Sequence, residues 1–189
     1  MKHPRWLIVL GILLGSLMIT GFSTLLNGYF SSANGRNVFF DASVQKQISQ
    51  CVSNDYIKHS VRMWCEDIVP SAQENNLDPL LVAAVIEIES AGNENAYSTS
   101  GAVGLMQVMP RDGLASQFQC VNGPCFANRP SMDDLYDPEY NISYGSRYLA
   151  GLISRSEGDI RQALMGYGPG DMGYRYADLV LEKYQQYKQ

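Results

Sequence analysis

The sequence predicts a mainly α-helical protein that follows an N-terminal membrane-directed segment. Apolar residues recur at helical spacing, Asp-Pro pairs precede two of the apolar stretches, and no convincing strand pattern occurs. The 189 residues, 46% of them hydrophobic, allow one domain with a sizeable core and an appendage. The formal net charge of -5 leaves no basic surface for nucleic acid, so we expect no nucleic-acid partner.

An uncharged apolar run occupies residues 6–26 (WLIVLGILLGSLMITGFSTLL) and follows Lys2 and Arg5. Its length matches the roughly 20 residues of a spanning helix, with the positive charges on the cytoplasmic side. A cleaved signal peptide is the alternative, because small residues precede a cleavage point after Ala33. We interpret residues 1–33 as an anchor or signal segment with a linker, and either interpretation places the rest of the chain outside the cytoplasm.

Export makes two disulfide bonds possible among Cys51, Cys65, Cys120 and Cys125. Three pairings can be drawn, and sequence proximity favours Cys51 with Cys65 and Cys120 with Cys125. A zinc site is the competing interpretation, but neither spacing is of the C-x2-C type and the chain has only 2 His. We therefore expect no metal and no cofactor.

The exported part begins with a tether rich in Gly, Ser and Asn at residues 27–37. We expect a helical extension over residues 34–66, which carries two of the cysteines, and a main domain over residues 67–189. Apolar residues at helical spacing predict a helix between residues 56 and 73. Pro70 is expected to kink or split it.

The strongest helix signal is Asp78-Pro79, an N-cap side chain followed by a proline in the first turn. The run LLVAAVIEIES that follows is apolar on most faces, which predicts a buried helix. Gly92 is the expected stop.

Three further helices are predicted after a loop-rich segment at residues 112–130. The first starts at Asp137-Pro138 and runs through EYNISYGSRYLAGLISR. A short helix at residues 159–165 and a closing helix at residues 174–187 complete the chain.

Glu89 is the candidate for chemistry, since it stands at the end of the buried helix. Three, four and seven residues earlier are Ile86, Val85 and Val82, so its carboxyl shares an apolar face. Desolvation and the negative end of the helix dipole both disfavour the anion and raise the pKa of Glu89. A carboxyl that is neutral near working pH is suited to act as a general acid.

Glu87 is the competing candidate, because its face includes Leu80, Ala83 and Ala84. Periodicity alone does not distinguish the two glutamates, and a glutamate near a helix end is commonly a solvated charge.

The residues around Glu89 match a family pattern over a long span. The matching residues are Glu89-Ser90, Ala96-x-Ser98, Gly101-Ala102 and the stretch GLMQVMP from Gly104 to Pro110. They closely resemble the signature of the soluble lytic transglycosylase (SLT) catalytic domain, which is related in fold to goose-type lysozyme. Asn141-Ile142, Gly145, Tyr148-Leu149 and the stretch ALMGYGPG at residues 163–170 are similar to the family's later motifs. The resemblance covers roughly residues 68–187.

The resemblance implies a lysozyme-like helical domain with a saccharide cleft that cuts the β-1,4 bond between N-acetylmuramic acid and N-acetylglucosamine. Glu89 would be the single catalytic acid and base, and the products would carry 1,6-anhydromuramic acid. Ser98, Gln107 and Met109 would line the saccharide sites, and Tyr167 would lie beside Glu89 across the cleft.

The resemblance implies peptidoglycan strands as partner and, by family analogy, a secretion or conjugation complex, while the N-terminal segment predicts contact with the inner membrane. The location would be the cell envelope, anchored and facing the periplasm or outer side, or secreted after cleavage. Two alternatives remain open, a hydrolytic muramidase using a second carboxylate such as Asp112 or Glu94, and a weakly active wall-binding component. The chain departs from the family in having Gly166 and Gly168 on either side of Tyr167, where Ala and Asn are usual.

Overall fold

The computed structural model of the protein describes residues 41–189. Residues 46–189 form one compact unit, and residues 41–45 belong to the preceding unit of the chain. No helix within the described part has both the length and the apolar character that a membrane span requires. The predicted membrane-directed segment and tether, residues 6–37, lie outside the described residues.

Helices dominate the described chain, which confirms the mainly α fold class. They are α1 (Ala42–Val52), α2 (His59–Arg62), α3 (Cys65–Glu74), α4 (Pro79–Ser90), α5 (Met132–Leu135), α6 (Pro138–Arg155), α7 (Ile160–Tyr167) and α8 (Tyr174–Tyr187). A 3-10 helix (Gly113–Gln117) leads into a short antiparallel hairpin of β1 (Gln119–Cys120) and β2 (Gly123–Pro124). Strands of two residues are too short to show an alternating pattern, which is why the sequence did not predict the hairpin.

Both Asp-Pro pairs start helices as predicted. The Asp78 carboxylate accepts a hydrogen bond from the backbone N–H of Leu80, and the Asp137 carboxylate accepts one from Tyr140. Each bond satisfies a backbone donor that the first helical turn leaves without a partner.

The predicted helix between residues 56 and 73 divides before Pro70, which corrects the expected position of the break. Pro70 lies inside α3, and the division falls at Trp64. The Trp64 indole N–H donates to the carbonyl oxygen of Gly92, and the next residue, Cys65, is disulfide-bonded. Tertiary contacts therefore fix the break, while Pro70 removes only one helical hydrogen bond.

The disulfides join Cys51 to Cys65 and Cys120 to Cys125, the pairing that proximity favours. The first links α1 to α3, and the second closes the β1–β2 hairpin. A zinc site on these cysteines is incompatible with this pairing.

The core of residues 46–189 is built around α4, whose side chains from Leu81 to Glu87 are all buried. α4 packs against α3 and α8, while α7 packs against both α6 and α8. The fully buried side chains include Ile57, Ile68, Leu81, Ile86, Leu105, Met106, Leu135, Ile142, Leu149, Leu164, Tyr176 and Tyr187. This packing holds the C-terminal end of α4 against α8, where the candidate site lies.

Candidate active site

The chain leaves α4 immediately after Glu89. The helix ends at Ser90, Ala91 caps it in the left-handed conformation with φ of 54°, and Gly92 follows with φ of 83°. A Cβ atom at Gly92 would lie 2.3 Å from the carbonyl oxygen of Ser60, so only glycine permits this approach. The sequence predicted that Gly92 ends the helix, and the structure shows that the left-handed conformation of Ala91 takes part in ending it as well.

Glu89 is half-buried, and its Oε1 atom accepts a 2.6 Å hydrogen bond from the hydroxyl of Tyr176 on α8. Burial raises the pKa of Glu89 from 4.5 to about 7, although the Tyr176 hydrogen bond stabilises the anion and opposes the shift. Near neutral pH the carboxyl is therefore present in both forms, as a group that gives and later takes a proton must be.

Glu87 lies in a different environment, although it is only two residues away. It is buried and accepts a hydrogen bond from Tyr187, with the ammonium groups of Lys183 and Lys58 at 3.1 Å and 3.6 Å. Burial by itself would raise the pKa of Glu87, but these three partners outweigh it and hold the pKa below its ordinary value. Glu87 is thus an anion that ties α4 to α8, and the two glutamates that periodicity could not separate have opposite electrostatics.

A second chain segment is fixed beside the end of α4. The Ser90 hydroxyl donates to the carbonyl oxygen of Leu105 at 2.8 Å. Asn141 is fully buried on α6, and its amide donates to the carbonyl oxygens of Val103 and Leu135 while its Oδ1 accepts from the N–H of Met106. Asn141 thus joins the GLMQ segment and the residue before it to the end of α5.

The predicted saccharide-site residues are all half-buried: Gln107 ends this segment, Met109 follows it closely, and Ser98 precedes it in the turn that leads into it. The Ser98 hydroxyl oxygen accepts from the N–H of Ala102, and the Gln107 amide donates to the carbonyl oxygens of Ala96 and Gly104, on either side of that turn. In the free protein, Ser98 and Gln107 stabilise the turn that would form a wall of the site.

Tyr167 lies in an aromatic cluster next to Glu89. Its hydroxyl donates to the carbonyl oxygen of Met106 at 2.9 Å, and its ring stacks on Tyr176 with centroids 6.5 Å apart. Burial, followed by the negative charge of Glu89, raises the pKa of the Tyr167 phenol, which therefore remains protonated. The structure thus brings Glu89, Tyr167 and Tyr176 together.

Tyr176 is the site residue that sequence reasoning missed. It lies in the closing helix, and no local pattern in the sequence connects it with Glu89. The one sequence feature related to it is Gly168, which stands where the family usually has Asn. A Cβ atom at Gly168 would lie 2.3 Å from the Tyr176 ring. The missing side chain leaves room for that ring.

Asp112 and Glu94 are the two candidates for a second carboxylate. The carboxylate of Asp112 accepts a 2.8 Å hydrogen bond from the N–H of Met132, which closes a loop, and Glu94 is half-buried beyond Gly92. Within the described residues, no group of three or more His, Cys, Asp or Glu side chains could hold a metal ion.

Comparison with known protein families identifies the domain that contains these residues. The family profile of the transglycosylase SLT domain matches residues 68–178. This range includes Glu89, the GLMQ segment, Tyr167 and Tyr176, so all elements of the candidate site fall inside it.

Among curated proteins, the chain is 33% identical over 147 residues to membrane-bound lytic murein transglycosylase E of Buchnera aphidicola, covering 77% of this chain and 59% of the relative. It is 36% identical over 107 residues to the transglycosylase of Enterobacteria phage PRD1, covering 57% of this chain and 35% of the relative. It is 42% identical over 74 residues to endo-type membrane-bound lytic murein transglycosylase A of Klebsiella pneumoniae, covering 39% and 35%.

The chain spans about half the length of the first curated relatives it matches. Among solved structures, an inactive mutant of the lytic transglycosylase Slt from Pseudomonas aeruginosa matches with 20% identity and a TM-score of 0.45, over 77% of this chain and 28% of that chain. The match of the family profile over most of the described residues, Glu89 and its neighbours included, shows that the chain belongs to the transglycosylase SLT domain family.

Proposed function

We propose that the chain is a peptidoglycan lytic transglycosylase that cuts the β-1,4 bond between N-acetylmuramic acid and N-acetylglucosamine without water. The observation that carries the proposal is the half-buried Glu89, with a pKa of about 7 beside the Tyr176 hydroxyl. Membership of the SLT family and the names of the curated relatives support the same reaction and substrate.

Glu89 acts as the single acid and base. Its protonated form donates a proton to the glycosidic oxygen, and the bond from that oxygen to C1 of the muramoyl residue breaks. The resulting carboxylate then takes the proton of the muramoyl C6 hydroxyl, whose oxygen bonds to C1 and closes a 1,6-anhydro ring. Glu89 returns to its starting form, and no other reactant is consumed.

The environment of Glu89 favours one carboxylate rather than two. The influences on its pKa are burial and the Tyr176 hydroxyl, and neither is an anion. A muramidase of the usual type would require a second carboxylate to activate water or to act as nucleophile. Asp112, one of the candidates, is held by the backbone N–H of Met132.

Other residues of the site have supporting roles in this proposal. Tyr176 orients the Glu89 carboxyl and moderates its pKa, and Tyr167 fixes the Tyr176 ring by stacking on it. Ser98, Gln107 and Met109 line the saccharide sites of a lysozyme-like cleft, where turn carbonyls and amides are close to the glycan.

The cell envelope is the corresponding location, since the substrate is there and two of the relatives are named membrane-bound. We propose that residues 1–33 direct the chain to the membrane, that residues 34–66 form a helical extension, and that residues 67–189 are catalytic. Local opening of the wall for a secretion or conjugation complex is the proposed biological use.

The deciding experiment is mass spectrometry of the products that the full chain releases from purified peptidoglycan. Products ending in 1,6-anhydromuramic acid, each lighter by one water than the hydrolytic product, are the expected result. Reducing ends would instead identify a muramidase. Binding without release would identify a wall-binding component, and either outcome rejects the proposal.

A further inference from the structure

A cavity of about 200 Å³ opens on one face of α6, outside the hydrogen-bonded cluster around Glu89. It is lined by Tyr144, Arg147, Tyr148, Gly151 and Arg155. Tyr144, Tyr148, Gly151 and Arg155 are four, three and four positions apart, and Arg147 is three after Tyr144 and four before Gly151, so the helix presents all five on one face. The guanidinium carbon of Arg147 lies 5.3 Å from the centroid of the Tyr144 ring, which places a cation beside an aromatic wall.

A further cation reaches the same two tyrosines from the loop after the hairpin. The guanidinium carbon of Arg129 lies 4.1 Å from the centroid of Tyr148 and 5.8 Å from that of Tyr144. Arg129 is half-buried, whereas Arg147 and Arg155 are exposed. Within residues 41–189, none of the three arginines forms an ion pair with a carboxylate.

Two arginines elsewhere in the described chain do form ion pairs with carboxylates. Arg62 pairs with Asp55 at 3.0 Å, and Arg161 pairs with Asp178 at 2.6 Å. A half-buried guanidinium without an anion is unfavourable, because it gives up water without gaining a counter-charge. The α6 cavity is thus a positive and aromatic site whose arginines have no carboxylate partner among the described residues, in a protein whose formal net charge is -5.

One wall of the cavity contacts the proposed catalytic cluster through packed aromatic rings. The ring centroid of Tyr148, a wall of the cavity, lies 5.7 Å from that of Tyr167. Tyr167 in turn stacks on Tyr176, whose hydroxyl binds Glu89. A ligand in the cavity would therefore lie two aromatic rings away from the residue that holds the acid.

We propose that this cavity, which we call the arginine–tyrosine pocket, binds a carboxylate carried by the muramoyl unit of the glycan. Guanidinium groups match carboxylates in planar, two-bond geometry, and the tyrosine rings provide flat walls for the attached chain. The carboxylate has two sources: a peptide stem where one is attached, or the free lactyl group where it is not. This inference rests on the proposed function, since it assumes that peptidoglycan occupies the neighbouring site.

Calorimetric titration of the full chain tests the pocket independently of cleavage. The Glu89→Gln protein is titrated with three probes of equal sugar number: a peptide-bearing muramoyl fragment, the peptide-free fragment with its lactyl carboxylate, and a chitin oligosaccharide without any carboxylate. Arg147→Gln and Arg155→Gln are then added singly. Lys46→Gln, which removes one exposed positive charge from α1, is the matched control.

Each arginine substitution is expected to raise the Kd of a carboxylate-bearing fragment about tenfold, equivalent to about 1.4 kcal/mol, and to leave chitin binding unchanged. A loss confined to the peptide-bearing fragment identifies the stem as the source, and a loss confined to the peptide-free fragment identifies the lactyl group. Losses on both mean that the pocket accepts either carboxylate.

The proposal is overturned if the arginine variants bind all probes as the parent does, if Lys46→Gln causes an equal loss, or if the charged fragments do not bind. Its failure is distinguishable from that of the proposed function. Arginine-dependent binding without anhydro products would retain the pocket and reject the reaction, whereas anhydro products with arginine-independent binding would do the reverse.

Discussion

The hydroxyl of Tyr176 donates a 2.6 Å hydrogen bond to Oε1 of Glu89, across 87 residues of sequence. A second pair on the same two helices joins Tyr187 to Glu87. The two tyrosine–glutamate pairs differ in charge balance, because Lys183 and Lys58 neutralise Glu87 while burial acts on Glu89 without a cation. This contrast provides two pairs of matched variants, one at the glutamates and one at the tyrosines.

Glu89→Gln is expected to lower the rate of glycan cleavage by about 100- to 10,000-fold, the usual contribution of a general acid. Glu87→Gln is expected to keep the rate per folded molecule and to lower the free energy of unfolding by about 1–3 kcal/mol, since it weakens a buried hydrogen-bonded ion pair. Product release from purified peptidoglycan and urea unfolding measure the two effects. An inactive but well-folded Glu87→Gln protein alongside an active Glu89→Gln protein would contradict the assignment of the acid.

The pH dependence of cleavage is expected to reflect the pKa of Glu89, which the Tyr176 hydroxyl influences. The first step requires the protonated acid, so kcat/KM falls as pH rises through about 7, the pKa of Glu89. In Tyr176→Phe the hydrogen bond that stabilises the anion is gone, and the alkaline limb moves to higher pH. Tyr187→Phe is the control, since it removes the other hydroxyl and should leave the limb in place. A limb that is unmoved in Tyr176→Phe would mean that the hydroxyl does not act on the acid.

Stability should depend on pH through the same carboxyl. The pKa of Glu89 is raised from 4.5 to about 7 on folding. The contribution of Glu89 to the free energy of unfolding is therefore fully present below about pH 4.5 and is lost as pH rises through about 7. A shift of this size corresponds to about 3 kcal/mol at most. The free energy of unfolding of the native protein should therefore decline relative to Glu89→Gln between pH 4.5 and pH 8. Parallel urea curves for the two proteins across this range would refute the burial of Glu89.

Gly168 and Gly166 form another matched pair. A Cβ atom at Gly168 would lie 2.3 Å from the Tyr176 ring, whereas at Gly166 it would meet a leucine methyl at 3.5 Å, an ordinary contact. Gly168→Ala is therefore expected to displace Tyr176, shift the alkaline limb and lower stability by about 1–3 kcal/mol, the usual effect of overpacking. Gly166→Ala should do neither. Equal profiles for the two alanine variants would show that Tyr176 does not depend on the space at Gly168.

Local signals in the sequence predicted much of the fold. Asp78 and Asp137 identified the starts of two helices because capping is a property of neighbouring residues. The apolar run after Asp78 identified the buried helix for the same reason. Trp64 was missed as a helix break, since its cause is a hydrogen bond to Gly92 that only the folded chain brings together.

The candidate site was predicted less completely. Glu89 could be predicted from the sequence because the apolar face behind it lies within two helical turns. The spacing from Glu89 to the GLMQ segment supported the same prediction. The opposite pKa shifts of Glu89 and Glu87 could not be predicted, since they depend on lysines and tyrosines that are distant in the sequence. The arginines around the α6 cavity likewise gave no motif, because Arg129 joins Arg147 and Arg155 only through packing.

The position of α8 as the last element of the described chain has a consequence for biosynthesis. Glu89 emerges from the ribosome on α4 long before residues 174–187, which supply Tyr176 and pack against α4. Until α8 docks, Glu89 is an ordinary solvated carboxylate that ionises well below neutral pH. An unfinished or unfolded nascent chain thus contains Glu89 without the proton that the proposed reaction requires near neutral pH, and the proposed activity arises only when the fold is complete.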